Sequence, residues 1–189
     1  VYSISYNLNG GTISNQKTSY TIETENFTLP TPTRTGYTFT GWTGTGLSSA
    51  TKTVTVNKGS YGNRSYTANF GVNPYTYTVK YVSSSGKDLG STTVTYDYGT
   101  TNTMKAPAKT GYTTPASQDV KWDVAANTKV ITFTYQLNTY TIGYTLNGGS
   151  VSGNPTSYTV ESAAITLKNP TRTGYNFSGW TGTGLSSAT

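Results

Sequence analysis

T-P-T-R-T-G-Y-T-F-T-G-W-T-G-T-G-L-S-S-A-T, residues 31–51, returns almost unchanged at residues 169–189. The match extends backwards without a gap: Tyr2 falls on Tyr140, Tyr6 on Tyr144, Asn9-Gly10-Gly11 on Asn147-Gly148-Gly149, and Tyr20 on Tyr158. Roughly two-thirds of the paired positions are identical, which is the self-similarity at fixed offset that marks a repeat architecture. A fainter copy lies between them. Tyr77 and Tyr81 open it as Tyr2 and Tyr6 open the first, and a P-x-R/K-T-G-Y string follows each opening, ending at Tyr37, Tyr112 and Tyr175. The chain is therefore two sister modules around a divergent cousin, at 1–71, 72–136 and 137–189.

Alternation within the modules points to strands. Tyr2, Ile4, Tyr6 and Leu8 share one side of residues 1–8 with Ser3, Ser5 and Asn7 on the other, the period of a strand with one buried face. Asn9-Gly10-Gly11 supplies positive-φ residues for a tight hairpin turn. Residues 36–42 alternate Tyr37, Phe39 and Gly41 against Thr38, Thr40 and Trp42. In the middle module Ile131, Phe133 and Tyr135 alternate with Val130, Thr132 and Thr134. No stretch sustains a 3.6-residue period for ten residues, so at most a single helical turn is expected per module, at 161–165 or 124–127. Residues 71–74 and 136–138 are linkers too short for the modules to tumble freely.

A 189-residue chain cut three ways leaves small domains with modest cores. With 0 Cys, disulfides cannot staple them. The 17 Tyr, 3 Trp and 5 Phe must supply most of the buried apolar area. An amide crosslink from Lys80, central in its strand, is one conceivable substitute for a disulfide. The third copy stops at Thr189, before any counterpart of residues 52–70, so it is expected to be incomplete or to present an open sheet edge through which the chain self-associates.

Chemistry is sparse. The absence of His and Cys removes the commonest general base, thiol nucleophile and transition-metal ligands. The 7 acids are scattered, and Asp119 and Asp123 around Trp122 are the closest pair outside Glu23 and Glu25. No catalytic residue, no cofactor and no metal site are expected, and the protein reads as a non-enzyme. Its +6 charge is spread over isolated Lys and Arg rather than gathered into a phosphate-tracking stripe, which argues against nucleic acid. No apolar stretch approaches the ~20 residues that span a bilayer. Trp42, Trp122 and Trp180 carry two readings: large rings filling cores poor in Leu and Ile, or exposed platforms on which sugars stack. Arg34 and Arg172 are placed to cap the faces of Tyr37 and Tyr175.

With Y-x-I-x-Y-x-L-N-G-G, P-T-R-T-G-Y-x-F-x-G-W and the closing S-Y-T-A-N-F of residues 65–70, the outer modules resemble the Listeria-Bacteroides repeat, also called the internalin B-type B repeat. The middle module, with Y-T-V-K-Y-V, S-G-K-D-L and G-Y-T-T-P, looks like a MucBP-type mucin-binding repeat. These resemblances imply a mainly β chain of three tandem, β-grasp-like modules end to end. They imply an extracellular, cell-wall-associated stalk or adhesin segment of a Gram-positive bacterium, spacing a functional domain from the wall. The alternative they raise is a module that binds host glycan, mucin or surface protein.

Overall fold

The computed structural model describes residues 1–123, 129–185 and 187–188, and among these the chain is all β with no helix. The single turn expected at 124–127 lies outside the described residues. At 161–165 the chain makes only the end of a tight turn, closed by the Ser162 N–H on the Thr159 carbonyl at 3.1 Å.

In the first repeat, β1 (Tyr2–Asn7) pairs antiparallel with β2 (Ser19–Tyr20) and parallel with β6 (Arg64–Val72), and β4 (Tyr37–Gly44) closes the far side of β6. The order β2-β1-β6-β4, with a parallel pair flanked by antiparallel edges, is compatible with a β-grasp sheet. A small sheet of β3 (Phe27–Thr28) and β5 (Thr55–Val56) completes it. Asn9 and Gly10 turn with φ of 46° and 78°, but the chain then bridges Thr12 to Thr33 before it reaches β2. The turn is tight without being a two-residue hairpin.

Strict alternation along residues 36–42 puts Trp42 with the Thr side chains. The structure differs: a bulge between Phe39 and Gly41 adds one residue to β4 and swings Trp42 to the core side. There the Trp42 ring meets Phe39 at 5.6 Å, Tyr6 at 5.7 Å and Tyr66 at 6.4 Å. Ile4, Tyr20, Leu29, Val54, Val56 and Ala68 fill the rest of a core dominated by aromatic rings.

In the middle repeat β7 (Pro74–Ser83), β8 (Asp88–Asp97), β10 (Tyr112–Thr113) and β12 (Val130–Leu137) form a sheet of order β10-β12-β7-β8. A second pair joins β9 (Thr101–Met104) to β11 (Gln118–Lys121). Ile131, Phe133 and Tyr135 all point into the core, as their spacing requires. Lys80 is exposed on β7.

The third repeat copies the first in its register, with β13 (Tyr140–Thr141) on β14 (Ser157–Tyr158) pairing Tyr140 with Tyr158 as Tyr2 pairs with Tyr20. The bridges Ser150 to Thr171 and Arg172 to Tyr175 reproduce Thr12 to Thr33 and Arg34 to Tyr37. Residues 176–181, which match β4, have no strand partner among the described residues. The chain divides into two compact units, one of residues 1–80, 91–104 and 118–131, the other of 81–90, 105–117 and 132–189.

Candidate functional site at the repeat junctions

Each T-G-Y string makes the same turn. The Tyr37 N–H reaches the Arg34 carbonyl at 3.1 Å, Tyr112 reaches Lys109 at 3.2 Å and Tyr175 reaches Arg172 at 3.1 Å. The central glycines Gly36, Gly111 and Gly174 take φ of 78°, 85° and 79°, a left-handed conformation that costs glycine nothing. The Arg34 guanidinium lies over Tyr37 at 3.7 Å and Arg172 over Tyr175 at 3.8 Å, as their spacing predicts.

In the first unit this turn receives the start of the middle repeat. Strand β6 runs through Val72 and β7 begins at Pro74, so Asn73 alone joins them. Its N–H donates to the Gly36 carbonyl at 2.9 Å, and its side-chain oxygen accepts from the Thr38 hydroxyl at 2.6 Å. Its own carbonyl accepts from the Tyr98 N–H at 2.9 Å. Tyr98 then packs edge-on against Tyr37 at 5.9 Å and Tyr75 at 5.7 Å. A Cβ on Gly36 would lie 2.1 Å from Tyr98 Cδ1.

The second unit repeats the arrangement with different side chains. The Asn138 N–H donates to the Gly111 carbonyl at 3.0 Å, and the Thr113 hydroxyl donates to the Asn138 side-chain oxygen at 2.7 Å. A Cβ on Gly111 would lie 2.5 Å from the Val160 Cβ. Beside Val160, one carboxylate oxygen of Glu161 accepts from the Tyr112 hydroxyl at 2.8 Å and the other from the Ser85 hydroxyl.

Tyr98 and Val160 each hold the second position of a tight turn, closed by Thr100 N–H on Asp97 and Ser162 N–H on Thr159, although the third position is left-handed only in the first, where Gly99 takes φ 84°. A junction is thus a glycine socket on one repeat, a turn residue of the next seated over it, and a linker asparagine clamped to the socket's rim.

The Ser85 hydroxyl bond holds the Glu161 carboxyl below the usual carboxylate range, helped by the Tyr112 hydroxyl and the Lys87 charge against partial desolvation. A depressed folded-state pKa stabilises fully above the unfolded value and is lost as pH falls through the folded one. The gap in melting temperature between the parent chain and Glu161→Gln is therefore expected to be widest near neutrality and to close as pH drops below the ordinary glutamate range. A gap that does not change with pH would remove Glu161 from the junction.

Of the residues proposed as stacking platforms, Trp42 and Trp122 are each 0% exposed and offer no ring face to a ligand in this structure. Trp180 is half-buried and lines a cavity of about 260 Å³ with Leu146, Tyr175 and Phe177. Asp119 accepts from Thr103, Asp123 lies 3.5 Å from Lys129, and Glu25 pairs with Lys58 at 2.7 Å, so these acids are spent on separate surface contacts. Among the described residues no three His, Cys, Asp or Glu side chains gather as a metal site, and no helix is long and apolar enough to cross a membrane.

The sequence does not single out Asn73, Asn138 or Glu161. The available signal was the recurrence of an asparagine just past each strand that leads out of a repeat.

The model of the Listeria-Bacteroides repeat domain matches residues 2–68, 77–132 and 140–186, so the middle stretch is matched by the same repeat as its neighbours.

Proposed function

Because the chain belongs to the Listeria-Bacteroides repeat family, whose repeats are found in bacterial surface proteins, we propose that it is a spacer of a cell-wall-attached adhesin of a Gram-positive bacterium. In this reading the repeats hold a functional domain away from the wall. The observation that carries it is the recurrence of one clamp at two junctions: socket glycine carbonyl, linker asparagine and neighbouring threonine hydroxyl, in Gly36, Asn73 and Thr38 and again in Gly111, Asn138 and Thr113. A spacer must transmit orientation from one repeat to the next. A linker with both its N–H and its side chain tied does this where a free one would not.

Binding of host glycan, mucin or surface protein, to which the MucBP-like motifs of the middle repeat point, has less support in the geometry. Its natural anchor, Trp122, is fully buried, stacked on Tyr77, in a T-shaped contact with Tyr96, and donates its N–H to the Tyr75 carbonyl.

Small-angle scattering of the dilute chain tests the spacer reading. Three repeats in line, each about the length of an eight-residue strand, give a maximum dimension on the order of 80 Å. A compact globule, or the broad distribution of a freely jointed chain, would overturn it.

A further inference from the structure

The first repeat carries an open groove of about 670 Å³, lined by residues 31–35, the start of β4, and Lys52 with Thr53. Arg34 stands in it half-buried, its guanidinium 3.7 Å from the centre of the Tyr37 ring. Stacking on a ring holds a guanidinium in place but uses none of its five N–H donors. Those donors have no hydrogen-bond or ion-pair partner among the described residues. Lys52, the other cation of the groove, is exposed and likewise unpartnered among them. No Asp or Glu lines the groove, and its polar wall is otherwise threonine.

The third repeat builds the same groove. Ser150, Pro170, Arg172, Tyr175 and Phe177 line it at the positions that match Thr12, Pro32, Arg34, Tyr37 and Phe39. The middle repeat turns its cation inward instead: Lys109, at the position of Arg34, donates to the Leu89 carbonyl at 2.8 Å.

Neighbouring repeats leave the groove free. The first repeat has its successor in place, and Asn73 and Tyr98, which seat on Gly36, lie outside the groove. On the opposite side, a repeat meets the one before it through Val160 and Glu161, as the third does. The counterparts of these two in the first repeat, Ile22 and Glu23, also lie outside the groove.

We infer that the Arg34 groove, and its copy at Arg172, binds the carboxylate of a uronic-acid sugar in an acidic polysaccharide. A guanidinium held by an aromatic face presents a planar fork that matches a carboxylate with two parallel hydrogen bonds. Threonine hydroxyls both donate and accept, as the hydroxyls of a sugar ring do, so they suit a sugar acid better than an acidic peptide. Because Arg34 already covers the Tyr37 ring, recognition is by charge and hydroxyl and not by stacking. The burial of Trp42 and Trp122 therefore does not bear on it. The inference does not rest on the spacer reading.

NMR titration of the whole chain with trigalacturonate tests it. The Nε–H resonances of Arg34 and Arg172 are expected to move and to saturate with a Kd on the order of 1 mM, as befits one charge-assisted pair with a few hydroxyl contacts. Added salt weakens the binding. Arg34→Lys takes the residue that the middle repeat has at this position, keeping the charge and losing the fork. It is expected to weaken the first groove about tenfold, the worth of one hydrogen bond to a charged group. The Arg172 resonance of the same molecule titrates as before and reports that the rest of the chain is folded. Lys52→Gln, at an exposed position, weakens the first groove alone. No movement of either arginine at about 20 mM sugar overturns the inference. So does an equal response to a neutral galactose trisaccharide, which would mean that no anion is recognised. Equal affinity for triglutamate also overturns it, and assigns the groove to acidic peptides. An Arg34→Lys chain that binds as the parent does removes the fork from the argument and the inference with it.

Discussion

Replacing Trp122 by alanine is expected to cost about 3–5 kcal/mol, the range for emptying a buried indole site. The ring lies flat on Tyr77 at 4.7 Å and 10°, takes Tyr96 edge-on at 4.7 Å, and donates its N–H to the Tyr75 carbonyl at 3.0 Å. It is 0% exposed. Truncation removes both ring contacts and leaves the Tyr75 carbonyl without that donor, in a repeat with few aliphatic side chains to collapse into the space. Trp122→Phe separates the two terms: it keeps a ring against Tyr77 but loses the donor, adding the cost of an unmet carbonyl, about 1–3 kcal/mol. Trp42→Phe carries no such second term, because the Trp42 N–H has no hydrogen-bond partner among the described residues. Urea midpoints of the three variants measure this. A Trp122→Ala loss below about 1 kcal/mol would mean that the ring is not a keystone of its core.

The sequence displayed its repeats and its faces because both are local. Three copies of T-G-Y at matched offsets, and the period-2 runs at Ile4 and at Phe133, need only neighbouring residues to be seen. Aromatic cores followed from arithmetic, since little else was available to bury. Trp42 shows where local reading stops: one extra residue at Thr40 reverses the face of everything after it, and a bulge leaves no mark in a polar-apolar pattern. The parallel pairing of β1 with β6 was equally hidden, because it joins segments some sixty positions apart and its register is set by the whole sheet. The junctions were half visible. A glycine before tyrosine announces a positive-φ turn, but the sequence cannot say that the space over its α-carbon is taken by Tyr98 in one repeat and by Val160 in the next. Glu161 gave no sign at all, because its partners Ser85 and Tyr112 lie 76 and 49 positions away.

That half-visible role gives a sharp contrast between three chemically identical positions. Gly36→Asn is expected to cost about 1–3 kcal/mol, the usual penalty for overfilling a packed contact, and to expose the Asn73–Pro74 connection to protease. Backbone strain is not the cause, because asparagine tolerates φ near 78°. The new Cβ would lie 2.1 Å from the Tyr98 ring, and that ring cannot retreat without giving up Tyr37 and Tyr75. Gly111→Asn should open the next junction in the same way, since its Cβ would meet Val160 at 2.5 Å. Gly174→Asn makes the same substitution at φ 79° with nothing within 4 Å. In dilute solution it should stay within about 0.5 kcal/mol of the parent, as surface changes do. Thermal unfolding and limited proteolysis of the three variants side by side decide the matter. Equal losses at all three glycines would show that the residue serves only the turn. Losses confined to Gly36 and Gly111 would show that it is the bare α-carbon, and the neighbour seated on it, that joins one repeat to the next.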